Sequence, residues 1–263
     1  MRFTRLNHDG TTAFARLLDD TSALLWTAAP WAGGRETEHA VAVTPSALLA
    51  PVTPSKIVCV GRNYRAHAAE LGNDVPTEPL LFLKPPTALS GPGAAIPLPP
   101  ASVRVEHEGE LAVVIARTLC DATPEEALAA VFGYTCANDV TARDLQRKDL
   151  QFTRAKGFDG FCPCGPYIET EVSPDDLHLV VRVNGEIRQD GHTRDMVFPV
   201  GVLLAYISRV MTLLPGDLVL TGTPSGVGPL VDGDRVQVAI SGIGTLENAV
   251  VSRGMPPPLS SHS

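Results

Sequence analysis

Hydrophobic residues recur along this chain in short runs and two-residue alternations, which are typical of β-strands. Strands are predicted over residues 56–60, 108–115, 133–139, 217–221, 235–240 and 245–251. A hairpin is predicted where residues 177–183 and 186–189 flank Asn184-Gly185, a sequence typical of a type I′ turn. The chain is therefore predicted to be mainly β, an α+β fold with a few short helices.

Four segments carry helix signals. Thr123 followed by a proline and two glutamates predicts a helix that reaches about residue 131. Helical apolar spacing predicts another over residues 200–211. Asn63 is expected to cap a short helix that ends before Gly72, and Thr141 is expected to cap one further along. Residues 76–100 are rich in proline and glycine, which predicts an ordered loop without regular structure.

The first fifty residues alternate only weakly between apolar and polar, with turns at Asp9-Gly10 and Gly33-Gly34. This pattern predicts a small N-terminal β module over residues 1–52. A catalytic domain is then expected over residues 53–254, followed by a flexible C-terminal tail over residues 255–263.

Composition narrows the class of protein. The 263 residues are 44% hydrophobic and 19% charged, which is ordinary for a globular protein. The net charge of −8 and the lack of a basic tract argue against nucleic acid as a partner. Apolar stretches are too short to span a membrane, and no signal peptide is visible, so we expect a cytoplasmic protein whose five cysteines are reduced.

Two glutamates stand two residues apart at the start of a predicted strand. Strand side chains alternate faces, so Glu108 and Glu110 point to the same side. If the strand that ends at Asp139 lies beside them, the three carboxylates form an oxygen-only site suited to Mg²⁺, Mn²⁺ or Ca²⁺. Lys156 is a candidate to balance the negative charge. The alternative is a solvated pair of glutamates at a strand end, with Lys156 a loop lysine in water.

His67 and Glu70 are candidates for a catalytic pair. They fall three residues apart in a predicted helix, so the carboxylate can orient the imidazole and raise its basicity. A surface histidine beside a helical ion-pair partner is the alternative. A glycine-rich segment, residues 221–229, follows a strand, and its free amides could face an anionic substrate.

Six motifs closely resemble the fumarylacetoacetate hydrolase family, in the family's order and spacing, over about residues 56–252. They are GRNYRAHAAE at 61–70, FLKP at 82–85, EGELAVVI at 108–115, NDVTARDLQ at 138–146, KGFD at 156–159 and TGTPSGVG at 221–228. The resemblance implies β-sheets rolled into a mixed sandwich-like fold, a homodimer, and bound Mg²⁺ or Mn²⁺, with Ca²⁺ possible in a crystal. The first 50 residues do not resemble the larger N-terminal domain of fumarylacetoacetate hydrolase itself.

The same resemblance implies roles for individual residues. Glu108, Glu110 and Asp139 match the family's metal ligands, and His67 and Glu70 match a catalytic dyad on a lid-like helix, with Lys156 as a further catalytic group. Substrate-binding positions are matched by Arg62, Tyr64, Lys84, Arg143, Gln146, Gly222 and Thr223.

The activity implied first is hydrolysis of a C–C bond in an acylpyruvate-type 2,4-diketo acid. A small 2-oxo acid would chelate the cation, which stabilises a pyruvate enolate, while His67 and Glu70 activate water. Oxaloacetate decarboxylation and isomerisation or decarboxylation of related unsaturated dioates and tricarboxylates need the same site and stay open. A protein that binds dicarboxylates without turnover is a remote alternative.

Overall fold

The computed structural model describes residues 1–254, and the predicted C-terminal tail lies outside them. Twenty strands run in chain order: β1 (Arg2–His8), β2 (Thr11–Leu17), β3 (Ser22–Trp26), β4 (Glu36–Ala42), β5 (Leu48–Leu49), β6 (Ile57–Gly61), β7 (Leu80–Lys84), β8 (Leu89–Ser90), β9 (Ile96–Leu98), β10 (Val105–His107), β11 (Gly109–Ile115), β12 (Val131–Asn138), β13 (Thr141–Ala142), β14 (Cys162–Glu169), β15 (His178–Val183), β16 (Glu186–His192), β17 (Leu218–Leu220), β18 (Gly228–Pro229), β19 (Arg235–Ile240) and β20 (Gly244–Ser252). The helices are α1 (Arg65–Glu70), α2 (Pro124–Leu128), α3 (Arg143–Lys148), α4 (Thr153–Lys156) and α5 (Val200–Val210). The mainly β prediction is confirmed.

The strands form three sheets. The largest runs β4-β3-β2-β1-β14-β12-β11-β17-β6-β7, with β5 added to β1 and β8 added to β14. A five-stranded sheet runs β16-β15-β19-β20-β9, and a small sheet runs β13-β10-β18. The N-terminal strands are antiparallel, and β1 pairs with β14, so they continue the large sheet of the rest of the chain.

Strand β11 lies at the centre of the core and is buried along its whole length. Its Leu111 and Val113 pack in one apolar cluster with Leu179 of the five-stranded sheet. Its Ala112 and Val114 belong to a second cluster on the opposite face. Because faces alternate along a strand, Glu108 and Glu110 continue the face of Ala112 and Val114. None of the helices within residues 1–254 has the length and apolar composition needed to cross a membrane.

Several local predictions are confirmed. Asn184 and Gly185 both have positive φ, as a type I′ turn between β15 and β16 requires. Thr123 forms a capping box at the start of α2. Helix α5 ends at Val210, one residue before the predicted end. Helix α2 ends at Leu128, earlier than predicted, because Val131 already begins β12.

Three local predictions were wrong. Residues 76–100 contain β7, a strand that pairs antiparallel with β6 at the edge of the large sheet, where flanking prolines are tolerated. Asn63 does not cap α1, because its side chain bonds the backbone of Phe198 and Thr221. Thr141 does not cap α3, because its hydroxyl donates to the carbonyl of Asp139.

Candidate active site

Three carboxylates meet where β11 and β12 pair. Gly109 is opposite Asn138 in this pair, so Glu108, Glu110 and Asp139 come together at one end of it. Their ligand oxygens all lie within 4.8 Å of one another, and the side chains are buried. The Asp139 amide donates to the Glu108 carbonyl at 2.8 Å, which holds the two chain segments in place. The predicted adjacency of the two strands is confirmed.

Buried cations surround these acids. Lys156 Nζ lies 2.8 Å from Glu108 Oε2 and 2.7 Å from Asp139 Oδ2. Lys84 Nζ lies 2.6 Å from Asp139 Oδ1. Arg143 pairs with Glu108 and, at 2.7 Å, with Glu106. No cation among the described residues pairs with the Glu110 carboxylate, whose Oε2 accepts only the Gly222 amide, at 2.6 Å.

The two glutamates therefore differ in acidity. Burial and the charges of Asp139 and Glu108 raise the pKa of Glu110 well above its usual value. Burial also opposes ionisation of Glu108, but Lys156 and Arg143 outweigh it and hold the pKa of Glu108 below its usual value. Glu106 also pairs with Arg104, at 2.6 Å, so four carboxylates face four cations in this cluster, and Glu110 is the carboxylate with which none of these cations pairs.

These observations fit a divalent cation. Glu110 is a buried carboxylate with which no cation among the described residues pairs, and burial and the neighbouring acids disfavour its charged form. Burying a carboxylate is costly unless it is paired or coordinates a metal. Oxygen-only ligands favour Mg²⁺, Mn²⁺ or Ca²⁺ over zinc. Glu108, Glu110 and Asp139 would hold the ion.

The histidine–glutamate pair forms on α1. His67 is buried, and its Nδ1 lies 3.3 Å from Glu70 Oε2. Glu70 Oε1 accepts the Gly226 amide at 2.9 Å, so the glycine-rich segment fixes the orienting carboxylate. With Nδ1 turned to Glu70, Nε2 is the nitrogen that can exchange a proton with a substrate.

A cavity of about 260 Å³ lies over the acids. It brings together most of the predicted site residues: Arg62, His67, Glu108, Glu110, Asp139, Arg143, Gln146, Lys156 and Thr223. Arg62 has a positive φ of 58°, an uncommon conformation for a residue other than glycine, of the kind that clusters at functional sites.

Three residues predicted to bind substrate do not line this cavity. Lys84 lies outside the cavity, next to Asp139, and its Nζ also donates to the carbonyls of Val140 and Lys156. Tyr64 is buried in the main apolar cluster. Gly222 acts through its amide on Glu110, and a Cβ there would lie 2.7 Å from Asn63 Cβ. Lys84 and Gly222 therefore contact the acids from outside the cavity.

Other cavity residues had not been assigned to the site, among them Phe82, Phe152 and Arg147. The ring of Phe82 packs edge-on against Phe152, and Lys156 Nζ lies 5.0 Å from its centroid. Phe82 would have been found had β7 been recognised, because it is two residues from Lys84 and shares its face. Arg147 follows Gln146 in α3.

The fold and the cavity place the chain among mainly β enzymes with a carboxylate cluster that can bind a divalent cation. The chain belongs to the fumarylacetoacetate hydrolase family, as its resemblance to that family had implied. The protein-family model described as fumarylacetoacetate (FAA) hydrolase C-terminal matches residues 56–251. A second model, Rv2993c-like, N-terminal, matches residues 1–51.

Among curated relatives, protein Rv2993c of Mycobacterium tuberculosis is 52% identical over 212 residues, or 80% of each chain. The mitochondrial oxaloacetate tautomerase FAHD1 of Arabidopsis thaliana is 44% identical over 208 residues, 77% of this chain and 93% of that protein.

Solved structures of other proteins are also similar to this chain. A 2-hydroxyhepta-2,4-diene-1,7-dioate isomerase from Mycobacterium marinum has a TM-score of 0.88 at 44% identity, covering 97% of this chain and 100% of that one. A fumarylpyruvate hydrolase from Pseudomonas aeruginosa, in complex with Mn²⁺ and pyruvate, has a TM-score of 0.73 at 36% identity, covering 78% and 91%.

Proposed function

We propose that this protein is a divalent-metal-dependent tautomerase or isomerase of a 2-oxo dicarboxylic acid, with oxaloacetate as the leading substrate. The observation that carries the proposal is the His67–Glu70 pair, whose imidazole lines one cavity together with the three carboxylates. Relatives named oxaloacetate tautomerase and dioate isomerase support this choice over the hydrolysis first implied by the sequence.

The chain's own residues can carry the proton transfer. His67 Nε2 accepts the proton from the carbon next to the keto group and returns it to the oxygen, and the reverse transfer restores the keto form. Glu70 stabilises the imidazolium that forms between these events. The Lys156 ammonium is a charged donor at the acids, where negative charge on the substrate's oxygens would develop.

When bound, a divalent cation would supply Lewis-acid polarisation of the substrate's keto oxygen. Arg143 and Gln146 bond to each other through Nη1 and Oε1 and line the same cavity, where they orient the substrate. Phe82 and Phe152 exclude water from the cavity wall.

Two further arginines favour a substrate that carries a second carboxylate. Arg62 and Arg147 line the cavity, and neither makes an ion pair with a residue between 1 and 254. Guanidinium groups match carboxylates in shape and charge. A dicarboxylate such as oxaloacetate would use them, whereas acetylpyruvate has no distal charge to offer.

The second candidate is hydrolysis of a C–C bond in a 2,4-diketo acid, in which His67 would activate water instead of moving a proton between carbon and oxygen. It is favoured by the likeness to the fumarylpyruvate hydrolase that binds Mn²⁺ and pyruvate.

A parallel assay separates the candidates. With Mn²⁺ present, the wild type is expected to accelerate keto–enol interconversion of oxaloacetate, followed by enol absorbance, more than cleavage of acetylpyruvate or fumarylpyruvate. His67→Ala should lower the tautomerase rate by about 10²-fold or more. His39→Ala, at an exposed histidine, is the matched control, and its tautomerase rate should equal that of the wild type. Faster cleavage than tautomerisation would establish the hydrolase instead, and binding without either activity would leave a dicarboxylate-binding protein.

A further inference from the structure

One buried amide outside the cavity joins the segments that carry the site. Gln189 lies on β16 and is fully buried. Its Oε1 accepts hydrogen bonds from His107 Nδ1 and from the Gly109 amide, both at 3.0 Å. Its Nε2 donates to Thr223 Oγ1 and to the Pro224 carbonyl, both at 2.7 Å. The hydrogen-bonding capacity of this side chain is therefore fully used.

The partners of Gln189 flank the functional groups. His107 and Gly109 are the neighbours of Glu108 in sequence, and the hydroxyl of Thr223 donates back to the Gly109 carbonyl at 2.7 Å. Gln189 thus ties the segment that carries the metal-ligand candidates to the loop formed by residues 222–226, called here the 222–226 loop.

That loop holds two site groups at once. At one end the Gly222 amide donates to Glu110. At the other end the Gly226 amide donates to Glu70, whose second oxygen contacts His67. A shift of the loop relative to β11 would therefore change the distance between the histidine–glutamate pair and the acids.

The 222–226 loop packs against β16 without room for extra atoms. A Cβ on Gly226 would lie 2.0 Å from the carbonyl oxygen of Arg188, and a Cβ on Gly191 would lie 2.7 Å from Pro224 Cβ. An apolar side chain at position 189 would leave the Gly109 amide and the Pro224 carbonyl without their partner in this packed region, which is costly.

We propose that Gln189 is a positioning residue, which sets the place of the 222–226 loop and, through Gly226 and Glu70, the orientation of the His67 imidazole. It does not line the cavity and acts only through these groups. The expected loss of turnover rests on the proposed function, whereas the expected loosening of the loop rests on the hydrogen bonds alone.

Two variants test the proposal. Gln189→Met has a similar length and removes all four hydrogen bonds. Gln189→Glu keeps an acceptor for His107 and Gly109 but lacks the amide donor. In both, kcat for oxaloacetate should fall about 10- to 100-fold, the scale expected for a misplaced catalytic group, while KM and the Mn²⁺ Kd stay within about twofold of the wild type. Amide hydrogens of residues 65–72 and 222–228 should exchange at least about tenfold faster.

Gln237→Met is the matched control. Gln237 lies on β19 of the same sheet, but its amide bonds Glu247 and not the 222–226 loop, so kcat and local exchange should match the wild type. Where Gln189→Met does not fold, Gln189→Glu provides the same comparison.

The proposal is overturned if exchange at residues 65–72 and 222–228 is unchanged in a folded Gln189 variant, or if Mn²⁺ affinity falls in step with kcat. If the wild type does not act on oxaloacetate, the proposed function fails, but faster exchange in the variant would still support the positioning role.

Discussion

Replacing Glu110 with glutamine should stabilise the metal-free protein while weakening its hold on a divalent cation. The three carboxylates have ligand oxygens within 4.8 Å of one another. At an effective dielectric constant of about 20, each pair of charges at that distance repels by about 3 kcal/mol. Lys156 offsets part of this repulsion, so removing the Glu110 charge should raise the free energy of unfolding by on the order of 2 kcal/mol.

The sign of the pH dependence follows from the pKa. The pKa of Glu110 is raised in the folded protein, so its contribution to stability is complete below the unfolded value of about 4.3 and is lost as pH rises through the folded pKa. The advantage of Glu110→Gln should therefore be small at pH 5 and largest at pH 8. The glutamine oxygen can still accept the Gly222 amide, so the loop contact is kept.

Urea denaturation in EDTA at both pH values, with Mn²⁺ calorimetry alongside, measures both effects. The exposed Glu38→Gln removes one charge far from any partner of Glu110 and should change neither quantity. A Glu110→Gln protein that is no more stable than the wild type at pH 8, or that binds Mn²⁺ equally well, would refute the electrostatic account of the site.

Two further predictions concern the cations. Lys84→Met should cost about 2–3 kcal/mol in urea denaturation, because the buried Asp139 loses one of its two cation partners and keeps Lys156; a cost below about 1 kcal/mol would contradict a structural role. Arg147→Met should raise KM for oxaloacetate about tenfold with little change in kcat, and an unchanged KM would rule out its contact with the distal carboxylate. Lys148→Met, the exposed neighbour in α3, is the control for both measurements.

The metal-ligand candidates could be predicted because their arrangement is local. Two-residue alternation places Glu108 and Glu110 on one face, and the adjacent strands β11 and β12 are joined by a short segment that contains α2, so their pairing brings in Asp139. The His67–Glu70 contact likewise follows from helical spacing alone.

Other parts of the site depend on contacts between distant segments. Prolines on both sides of β7 suggested a loop, yet an edge strand can lack some backbone donors. Because β7 was not predicted, neither the position of Phe82 in the cavity wall nor that of Lys84 outside the cavity could be inferred. Gln189 is 82 residues from His107, so no sequence window contains both partners of that hydrogen bond. Asn63 was predicted as a cap from its residue type, but tertiary hydrogen bonds to Phe198 and Thr221 determine its position.

The central claim is that His67 moves a proton on the carbon next to the keto group of a dicarboxylate bound at the acidic cluster. Solvent deuterium incorporation at that carbon of oxaloacetate, followed by NMR with Mn²⁺ at saturation, tests it most directly. The wild type should accelerate incorporation over the uncatalysed reaction, and His67→Ala should lose that acceleration while binding Mn²⁺ as tightly. Equal incorporation by the two proteins would contradict the account.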